Sequence, residues 1–403
     1  MSGNNNFLRD YLYGCDDDDD MIQILAFKRE REKLEAQGEN SRQSRTSIDR
    51  DTLQGHQRLF NDYFATPLVF PDQIFRRRFR MRCELFMRIH SAVEVHDPYF
   101  QQKINAAGKL GLSSLQKTTA TLRILAYGVT DDFMDEYIRI GESTTHKSLR
   151  HFVDAIIDIF GTEYLRKPNS DDIAKLLQVG EARGFIGMLG SIDCMHWKWK
   201  NYPTAWKGMF TGHCHEPTLI LEAVASYDLW IWHVFIGLSG SHNDINVLER
   251  SHVFSEITIG ERPSVNYSIN GHDYNMGYYV ADGIYHLWET FVKAITLPLN
   301  RKTKYFTTAQ ESFRKDVERA LGVLQAKFAI VGGPARFYDR ATIKNIMLAC
   351  IITHNMIVED EQEVHQQPNI SKYKQIPSSP PIPIVTRTYT SELMNFMQSL
   401  QLD

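Results

Sequence analysis

The chain has 403 residues, of which 43% are hydrophobic and 23% are charged, an ordinary balance for a globular protein. Its formal net charge of −4 excludes nucleic-acid binding driven by overall charge, so such a role would depend on local basic patches or metal ions. The five cysteines are scattered, which favours a reducing compartment over a disulfide framework. No signal peptide is visible and no apolar run approaches the roughly 20 residues of a membrane span, so we expect a soluble intracellular protein.

Residues 1–55 form a polar and acidic accessory segment. It contains an acidic run at 16–20, of the kind that is usually solvated, and a helix candidate over residues 21–37. Nothing in this segment indicates chemistry.

Residues 56–180 are predicted to be helical, and residues 75–82 are their densest basic run. On a helix, Phe75 and Phe79 would line a buried side and the arginines between them would point outward. Two interpretations stay open. The run is either a solvated helix face, or a phosphate-contacting surface or nuclear-import signal.

Three helices are predicted within residues 108–165. Their expected caps and stops are Ser113 or Ser114 and Gly128 for the first, Gly141 at the end of the second (131–140), and Ser143 or Thr144 for the third. With Lys147, Arg150 and His151 early on the third helix, this is a helix-turn-helix layout that would contact DNA. A plain three-helix bundle gives the same pattern, so helical packing without DNA contact stays open.

Residues 181–360 change character. The predicted strands are 188–194, 218–227, 230–238 and 278–281, and the predicted helices are 245–250, 309–328 and 342–358. This order is that of the ribonuclease-H-like fold, in which three antiparallel strands precede parallel strands added through helices. We therefore expect an α+β protein with an α/β core. Residues 361–403 form a Pro- and Ser-rich tail with a short terminal helix.

Three acids lie at the positions that carry acids in the ribonuclease-H-like fold. Asp193 lies at the end of the first strand, Asp282 just past the fourth, and Glu318 on a later helix. Carboxylates brought close together cannot all stay ionised without compensation, which Mg²⁺ supplies. Two such ions about 4 Å apart can activate a water or a 3′-hydroxyl, so the chemistry indicated is phosphodiester cleavage.

Two features bear on Glu318. The alternative to a metal-binding role is an ion pair with Arg314 or Arg319 on the surface. Gly322, one turn later, costs a helix about 1 kcal/mol relative to alanine. A close approach of helix to sheet would explain that glycine.

Seven motifs together resemble the plant form of the PIF/Harbinger-type transposases, over roughly residues 56–360. They are FRRRFRM at 75–81, GLSSLQK at 111–117, GSIDCMHW at 190–197, AWKG at 205–208, GSHNDINVL at 240–248, YVADGIY at 279–285 and VERALGVLQAKF at 317–328. The resemblance implies a DDE nuclease that uses Mg²⁺, with Mn²⁺ as an alternative, and that acts on transposon-end DNA. It also implies a nuclear location, with a cytoplasmic pool left open, and often a separate Myb-like DNA-binding partner. A homo-oligomer is left open too.

The family's catalytic and metal-binding acids carry over onto Asp193, Asp282 and Glu318. Asp244 matches a family motif as well, and is either an auxiliary metal ligand or a helix N-cap. Gln325 departs from the pattern, because many relatives have a lysine there that could hold a phosphate. The candidate DNA contacts are Arg76, Arg77, Arg78, Lys147, Arg150, Lys198, Lys200 and Arg319.

Two rival hypotheses stay open. One is a zinc site, because residues of ligand type lie close in sequence: Cys194, His196, His213, Cys214 and His215. Their spacing fits no common zinc finger, and residues 213–215 would put alternate side chains on opposite faces of a strand. The other is a domesticated transposase that serves as a non-catalytic DNA or chromatin adaptor. Loss of a catalytic acid usually marks such proteins, and no acid is lost here.

Overall fold

A computed structural model describes residues 48–364, except 105–107, 131, 252–264, 270 and 286–289. The acidic run at 16–20, the helix predicted at 21–37 and the Pro-rich tail with its terminal helix lie outside the described residues. The division of the chain into four segments stays a prediction, and its boundary at residue 180 falls within a helix.

Seven helices are described before the sheet. They are α1 (Thr52–Tyr63), α2 (Asp72–Phe79), α3 (Cys83–His96), α4 (Ser114–Tyr127), α5 (Asp132–Ile138), α6 (Glu142–Tyr164) and α7 (Ser170–Ala182). Helix α4 is buried along almost its whole length and forms the centre of this region. Its predicted ends are confirmed. Ser113 caps it in a capping box with Gln116, and Gly128 ends it in the left-handed conformation at φ 61°.

Two local predictions were wrong in detail. Helix α6 is preceded by Gly141 as its N-cap and not by Ser143 or Thr144, so Gly141 opens the third helix of the region. The basic run does not lie on one helix, because Arg80 adopts φ 63° and ends α2 there. The buried side of the run is confirmed, since the rings of Phe75 and Phe79 are buried and stack 4.3 Å apart.

A five-stranded mixed sheet follows. Its strands are β1 (Met188–Lys198), β2 (Thr218–Ala225), β3 (Ile231–Ser239), β6 (Tyr278–Ala281) and β7 (Phe291–Lys293), and a hairpin beside it consists of β4 (Tyr267–Ile269) and β5 (His272–Tyr274). The order is β3-β2-β1-β6-β7. The first three strands are antiparallel, whereas β6 and β7 run parallel to β1. The predicted α+β class with mixed pairing is therefore confirmed.

Five further helices complete the described chain. They are α8 (Lys207–Phe210), α9 (Asp244–Arg250), α10 (Arg301–Lys327), α11 (Ala329–Gly332) and α12 (Arg340–Val364). Helix α10 begins eight residues before its predicted start, because Asn300 and Thr303 form a capping box there. Strand β1 extends past its predicted end, because buried Trp197 and Trp199 continue the alternation with exposed lysines.

Helix α12 joins the helical region to the sheet. The side chain of Asn355 donates to the backbone oxygens of Tyr164 on α6, at 2.7 Å, and Ile231 on β3, at 2.8 Å. It also accepts from the backbone nitrogen of Ile231 at 3.0 Å. One hydrophobic core consequently includes residues of both regions.

The same helix corrects one expectation about apolar runs. The stretch Arg340–Gln362 is long and apolar enough to span a membrane by length and composition, and 83% of its most apolar window is buried inside the protein. A helix in a protein core can be as apolar as a membrane-spanning helix, because neighbouring elements bury most of its surface.

Candidate active site

The parallel pairing of β1 with β6 brings two of the predicted acids together. Ser191 lies opposite Val280 in this register. Asp193 and Asp282 are each two residues further along, so they lie side by side. Asp282 follows the end of β6 as predicted, whereas Asp193 lies in the middle of β1 and not at its end, because the strand continues to Lys198. The Asp193 side chain is half-buried, whereas that of Asp282 is 55% exposed.

Helix α10 supplies the third acid. Its inward stripe is confirmed, since Val317, Leu321 and Leu324 are buried against the sheet. The backbone nitrogen of Val317 donates to the hydroxyl of Ser191 at 3.0 Å, which fixes the helix on β1 next to Asp193. Glu318 therefore faces the two aspartates with its side chain 40% exposed.

The positively charged side chain of Arg314 lies among these acids. Nη1 of Arg314 is 2.9 Å from Oε1 of Glu318 and 4.0 Å from Oδ2 of Asp282. The sum of the two distances, 6.9 Å, is an upper bound on the separation of those two oxygens. The ion pair considered for Glu318 thus forms with Arg314, and it forms inside the cluster of acids.

Asp244 also belongs to this group. The N-cap interpretation of Asp244 is wrong, because Asn243 caps α9 by accepting from the backbone nitrogen of Asn246 at 2.9 Å. The charge of Asp244 acts on Asp193, and the charge of Asp282 acts on Asp244. The side chain of Asp244 is hydrogen-bonded to Cys194 and also lies close to the imidazoles of His196 and His213. We call Asp193, Asp244, Asp282 and Glu318 the acid cluster.

Burial and neighbouring negative charges raise the pKa values of Asp193 and Asp244. The pKa of Asp193 is raised to about 6, chiefly by burial and further by the charges of Glu318 and Asp244. A hydrogen bond from the backbone of Cys194 and the charge of Arg314 act in the opposite direction. Burial likewise raises the pKa of Asp244. The guanidinium of Arg314 therefore compensates the cluster only in part.

A buried carboxyl that the sequence analysis missed lies beside the cluster. Glu222 pairs with Cys194 across β1 and β2, is fully buried, and has its pKa raised to about 7 by burial. Nε2 of His233 is 3.7 Å from its Oε1. A glutamate inside the otherwise apolar strand TLILEAVA was the signal that could have revealed it.

Two predictions about α10 fare differently. A Cβ added at Gly322 would meet no atom within 4 Å, so the predicted close approach of helix to sheet at this residue is wrong. Gln325 points toward β1, where its Nε2 lies 2.9 Å from Sδ of Met195. At that position the side chain packs on the sheet.

Intramolecular contacts engage part of the predicted DNA-binding set on α2. Arg76 forms an ion pair with Glu361 at 2.9 Å. The guanidinium of Arg78 lies 4.1 Å from the ring centroid of Phe70 and bonds to the Tyr63 hydroxyl. Arg77 is exposed. Of these three arginines, Arg77 is the one best placed to contact a phosphate.

The remaining basic candidates are spread over the surface. Lys147 and Arg150 are exposed on the first turns of α6, and Lys200 is exposed after β1. Lys198 forms an ion pair with Glu216 at 2.6 Å. Arg319 lies 3.4 Å from Asp316 and bonds to the backbone oxygen of Tyr227.

Three of the five zinc-ligand candidates are brought together. The ligand atoms of His196, His213 and Cys214 lie within 4.8 Å of one another, a group that does not include Cys194 or His215. The argument that side chains at 213–215 alternate between faces was wrong. These residues form a turn, in which His215 has φ 57°. In the part of the chain that the structure describes, no three acid-cluster oxygens lie this close together.

Comparisons with known proteins agree with the motif analysis. The model of a family described as plant transposon protein matches residues 162–365, and that of a domain of unknown function matches residues 55–94. No curated protein and no solved structure shows significant similarity to the chain. The first match covers half of the chain and includes every residue of the acid cluster. The predicted family resemblance is thereby confirmed.

Proposed function

Because the chain belongs to the plant transposon protein family, we propose that it is a divalent-metal-dependent DNA nuclease of the DDE type. It would cleave transposon ends and transfer strands, or act as a derived endonuclease. The observation that carries this proposal is the acid cluster. Carboxylates from β1, α9, the end of β6 and α10 lie within electrostatic reach of one another in pairs, although 125 positions separate Asp193 from Glu318 in the sequence.

The sheet supports the proposal. Three antiparallel strands are followed by two strands parallel to β1, in the order β3-β2-β1-β6-β7. This is the arrangement expected of a ribonuclease-H-like fold. In that fold an acid on the first strand, one after the next parallel strand and one on a later helix converge, and Asp193, Asp282 and Glu318 are our candidates for these three acids.

The donor set fits Mg²⁺, with Mn²⁺ as an alternative. All the donors are hard carboxylate oxygens. The pKa of Asp193 is raised chiefly by burial and further by the charges of Glu318 and Asp244, and a bound cation would compensate these charges. Asp193, Asp282 and Glu318 would hold the metal, with Asp244 as an auxiliary ligand. Bound there, the metal would supply Lewis-acid stabilisation of a phosphodiester transition state.

The chain's own residues would prepare this chemistry. Ser191 and Val317 hold α10 against β1, so Glu318 needs no large movement to face Asp193. Exposed side chains of Asp282 and Glu318 leave room for a phosphate. Arg314 would release Glu318 when a metal binds and would then be free to contact the DNA backbone.

DNA would be held by exposed basic side chains outside the acid cluster. Arg77, Lys147, Arg150 and Lys200 are the exposed candidates. The helix-turn-helix role of α4 to α6, a nuclear location, a Myb-like partner and homo-oligomerisation belong to the same proposal. The helix-turn-helix role follows from the predicted order of the helices and from the basic residues early on α6, whereas the nuclear location and the Myb-like partner follow from the family resemblance.

The test is cleavage of supercoiled plasmid and linear duplex DNA by the full chain with Mg²⁺ or Mn²⁺. We expect nicking that Asp193→Asn, Asp282→Asn and Glu318→Gln each reduce by at least about 100-fold, since each loses a metal ligand. The matched control is Glu311→Gln, because Glu311 is exposed on the same helix and should leave the rate unchanged. Equal activity of wild type and the three variants would refute the assignment.

One observation favours the adaptor hypothesis. Arg314 already pairs with Glu318 and approaches Asp282, as expected of a site that has lost its need for metal. In that case DNA binding would persist without nicking, and Mn²⁺ would not bind to the acid cluster. Calorimetric titration of wild type against Asp282→Asn with Mn²⁺ separates the two functions.

A further inference from the structure

A second cluster of ligand-type side chains lies close to Asp244, at the margin of the acid cluster. It consists of His196 on β1 and His213 and Cys214 in the turn before β2, with all three ligand atoms within 4.8 Å of one another. The rings of His196 and His213 meet edge to face at 4.6 Å, and Sγ of Cys214 is 3.4 Å from Nε2 of His213.

The structure holds these side chains in place. Nδ1 of His196 contacts the hydroxyl of Thr218 at 3.0 Å, which orients the imidazole. When Nδ1 donates this hydrogen bond, Nε2 keeps its lone pair for a metal, an arrangement that metal-binding histidines commonly share.

The turn that carries His213 and Cys214 is also fixed. A β-bridge joins Thr211 to Pro217, and the backbone nitrogen of His215 donates to the oxygen of Gly212 at 3.0 Å. A Cβ added at Gly212 would lie 1.8 Å from the backbone oxygen of Gly240. This close approach anchors the turn against the chain that follows β3.

We propose that His196, His213 and Cys214 form a zinc site distinct from the metal site proposed for Asp193, Asp282 and Glu318. Two imidazoles and one thiolate are the ligand types that zinc prefers, whereas Mg²⁺ prefers oxygen. Three protein ligands leave the fourth tetrahedral position open to water or to another ligand. Asp244 lies within electrostatic reach of both imidazoles and adds negative charge that favours a cation there.

The proposal goes beyond the nuclease function and does not depend on it. Its test uses the purified, metal-free full chain titrated with Zn²⁺, and with Co²⁺ as a spectroscopic substitute. We expect one equivalent of tightly bound zinc per chain. Bound Co²⁺ should give a thiolate-to-metal charge-transfer absorption, because Cys214 is a ligand.

Three variants and two control variants test which residues bind the zinc ion. Cys214→Ser should abolish the charge-transfer absorption, and His213→Ala should weaken zinc binding by about 100-fold or more. Thr218→Val, which removes only the orienting hydroxyl, should weaken it by about 10- to 100-fold. Cys83→Ser and His215→Ala are the matched controls and should bind zinc as the wild type does.

Two outcomes would overturn the zinc site. One is the absence of a thiolate–cobalt absorption in wild-type protein whose circular dichroism spectrum is that of a folded chain. The other is zinc binding that survives Cys214→Ser and is lost in Asp282→Asn, which would assign the ion to the acid cluster. Neither result depends on DNA cleavage, so a failed nuclease assay leaves this test intact.

Discussion

The hydroxyl of Ser191 accepts a hydrogen bond from the backbone nitrogen of Val317 at 3.0 Å, and this contact joins the first strand to the helix that carries Glu318. Ser191 is fully buried and lies two residues before Asp193. The position of Glu318 relative to Asp193 therefore depends on a buried polar contact as well as on apolar packing.

Removing that hydroxyl should cost stability. We expect Ser191→Ala to lower the free energy of unfolding by about 1–2 kcal/mol, because a buried hydrogen-bond partner is lost. Urea denaturation measures the change. The exposed Ser143 on α6 provides the control, since Ser143→Ala should change stability by less than about 0.5 kcal/mol. Equal effects of the two substitutions would contradict the role given to Ser191.

Substitution of Gly322 on α10 should increase stability. It is exposed in the interior of α10 and an added Cβ meets no neighbour, so Gly322→Ala should raise the free energy of unfolding by about 1 kcal/mol. A Cβ at Gly240 would lie within 3.0 Å of backbone oxygens of Phe210 and Thr218, so Gly240→Ala should destabilise. Thermal unfolding of the two variants measures both changes in stability. A loss of stability in Gly322→Ala would show that this glycine has a packing role.

Arg314 should compete with metal ions. Its guanidinium lies 2.9 Å from Glu318 and 4.0 Å from Asp282. Arg314→Gln therefore removes a positive charge that repels a divalent cation and competes with it for these carboxylates. We expect Mn²⁺ to bind about tenfold more tightly to this variant, equivalent to about 1.4 kcal/mol, because solvent screens the charges of these partly exposed side chains. Calorimetry measures the affinity.

The neighbouring residue supplies the comparison for Arg314. Lys315 is exposed on the same turn of α10, and Lys315→Gln should leave Mn²⁺ binding within about twofold of wild type, because solvent screens its charge. Weaker Mn²⁺ binding in Arg314→Gln would mean that Arg314 orients Glu318 for the metal.

Acid should destabilise the protein through His354. Burial lowers the pKa of this histidine to about 4, below its ordinary value of 6.5, and its Nε2 lies 2.8 Å from the backbone oxygen of Leu229. The unfolded chain takes up this proton near pH 6.5 and the folded chain only near pH 4. Its contribution to stability is therefore complete above pH 6.5 and is lost as the pH falls toward 4, on the order of 2–3 kcal/mol.

The matched variant isolates that contribution. Denaturant titrations between pH 7 and pH 4.5 should show a flatter loss of stability for His354→Gln than for the wild type. His215→Gln, at an exposed position, should follow the wild-type curve. Groups with raised pKa values, such as Glu222 and Asp193, act with the opposite sign, so the comparison has to be between variants. Parallel curves for wild type and His354→Gln would refute the assignment.

Exposed basic side chains and those held by intramolecular contacts should behave differently toward DNA. Lys147→Ala and Arg150→Ala should each reduce the slope of log affinity against log salt by about 1, as expected for one lost phosphate contact. Arg78→Ala should leave that slope unchanged and lower stability, because its guanidinium packs on Phe70. Fluorescence anisotropy at several salt concentrations measures the slopes, and unchanged slopes for the first two variants would remove α6 from the DNA surface.

Local patterns in the sequence determined the α+β class, the order of the strands and the three acids to examine. Alternation and capping signals act over a few residues, which is why Ser113, Gly128 and the strand 278–281 could be identified without coordinates. The start of α10 had a local signal too, the capping box of Asn300 and Thr303, which the sequence analysis missed. The end of β1 had none, because the indole nitrogens of Trp197 and Trp199 donate to backbone oxygens of Gly333 and Phe337, which are distant in the sequence.

Only the tertiary structure decided which side chains share a site. Sequence spacing gave no sign that Arg314 approaches Asp282, that Arg76 pairs with Glu361, or that a turn brings Cys214 to His196. These contacts join residues far apart in the chain, or depend on a turn of irregular shape, and no local periodicity encodes either. The candidate catalytic residues could thus be identified from the sequence, whereas the side chains in contact with them could be identified only from the tertiary structure.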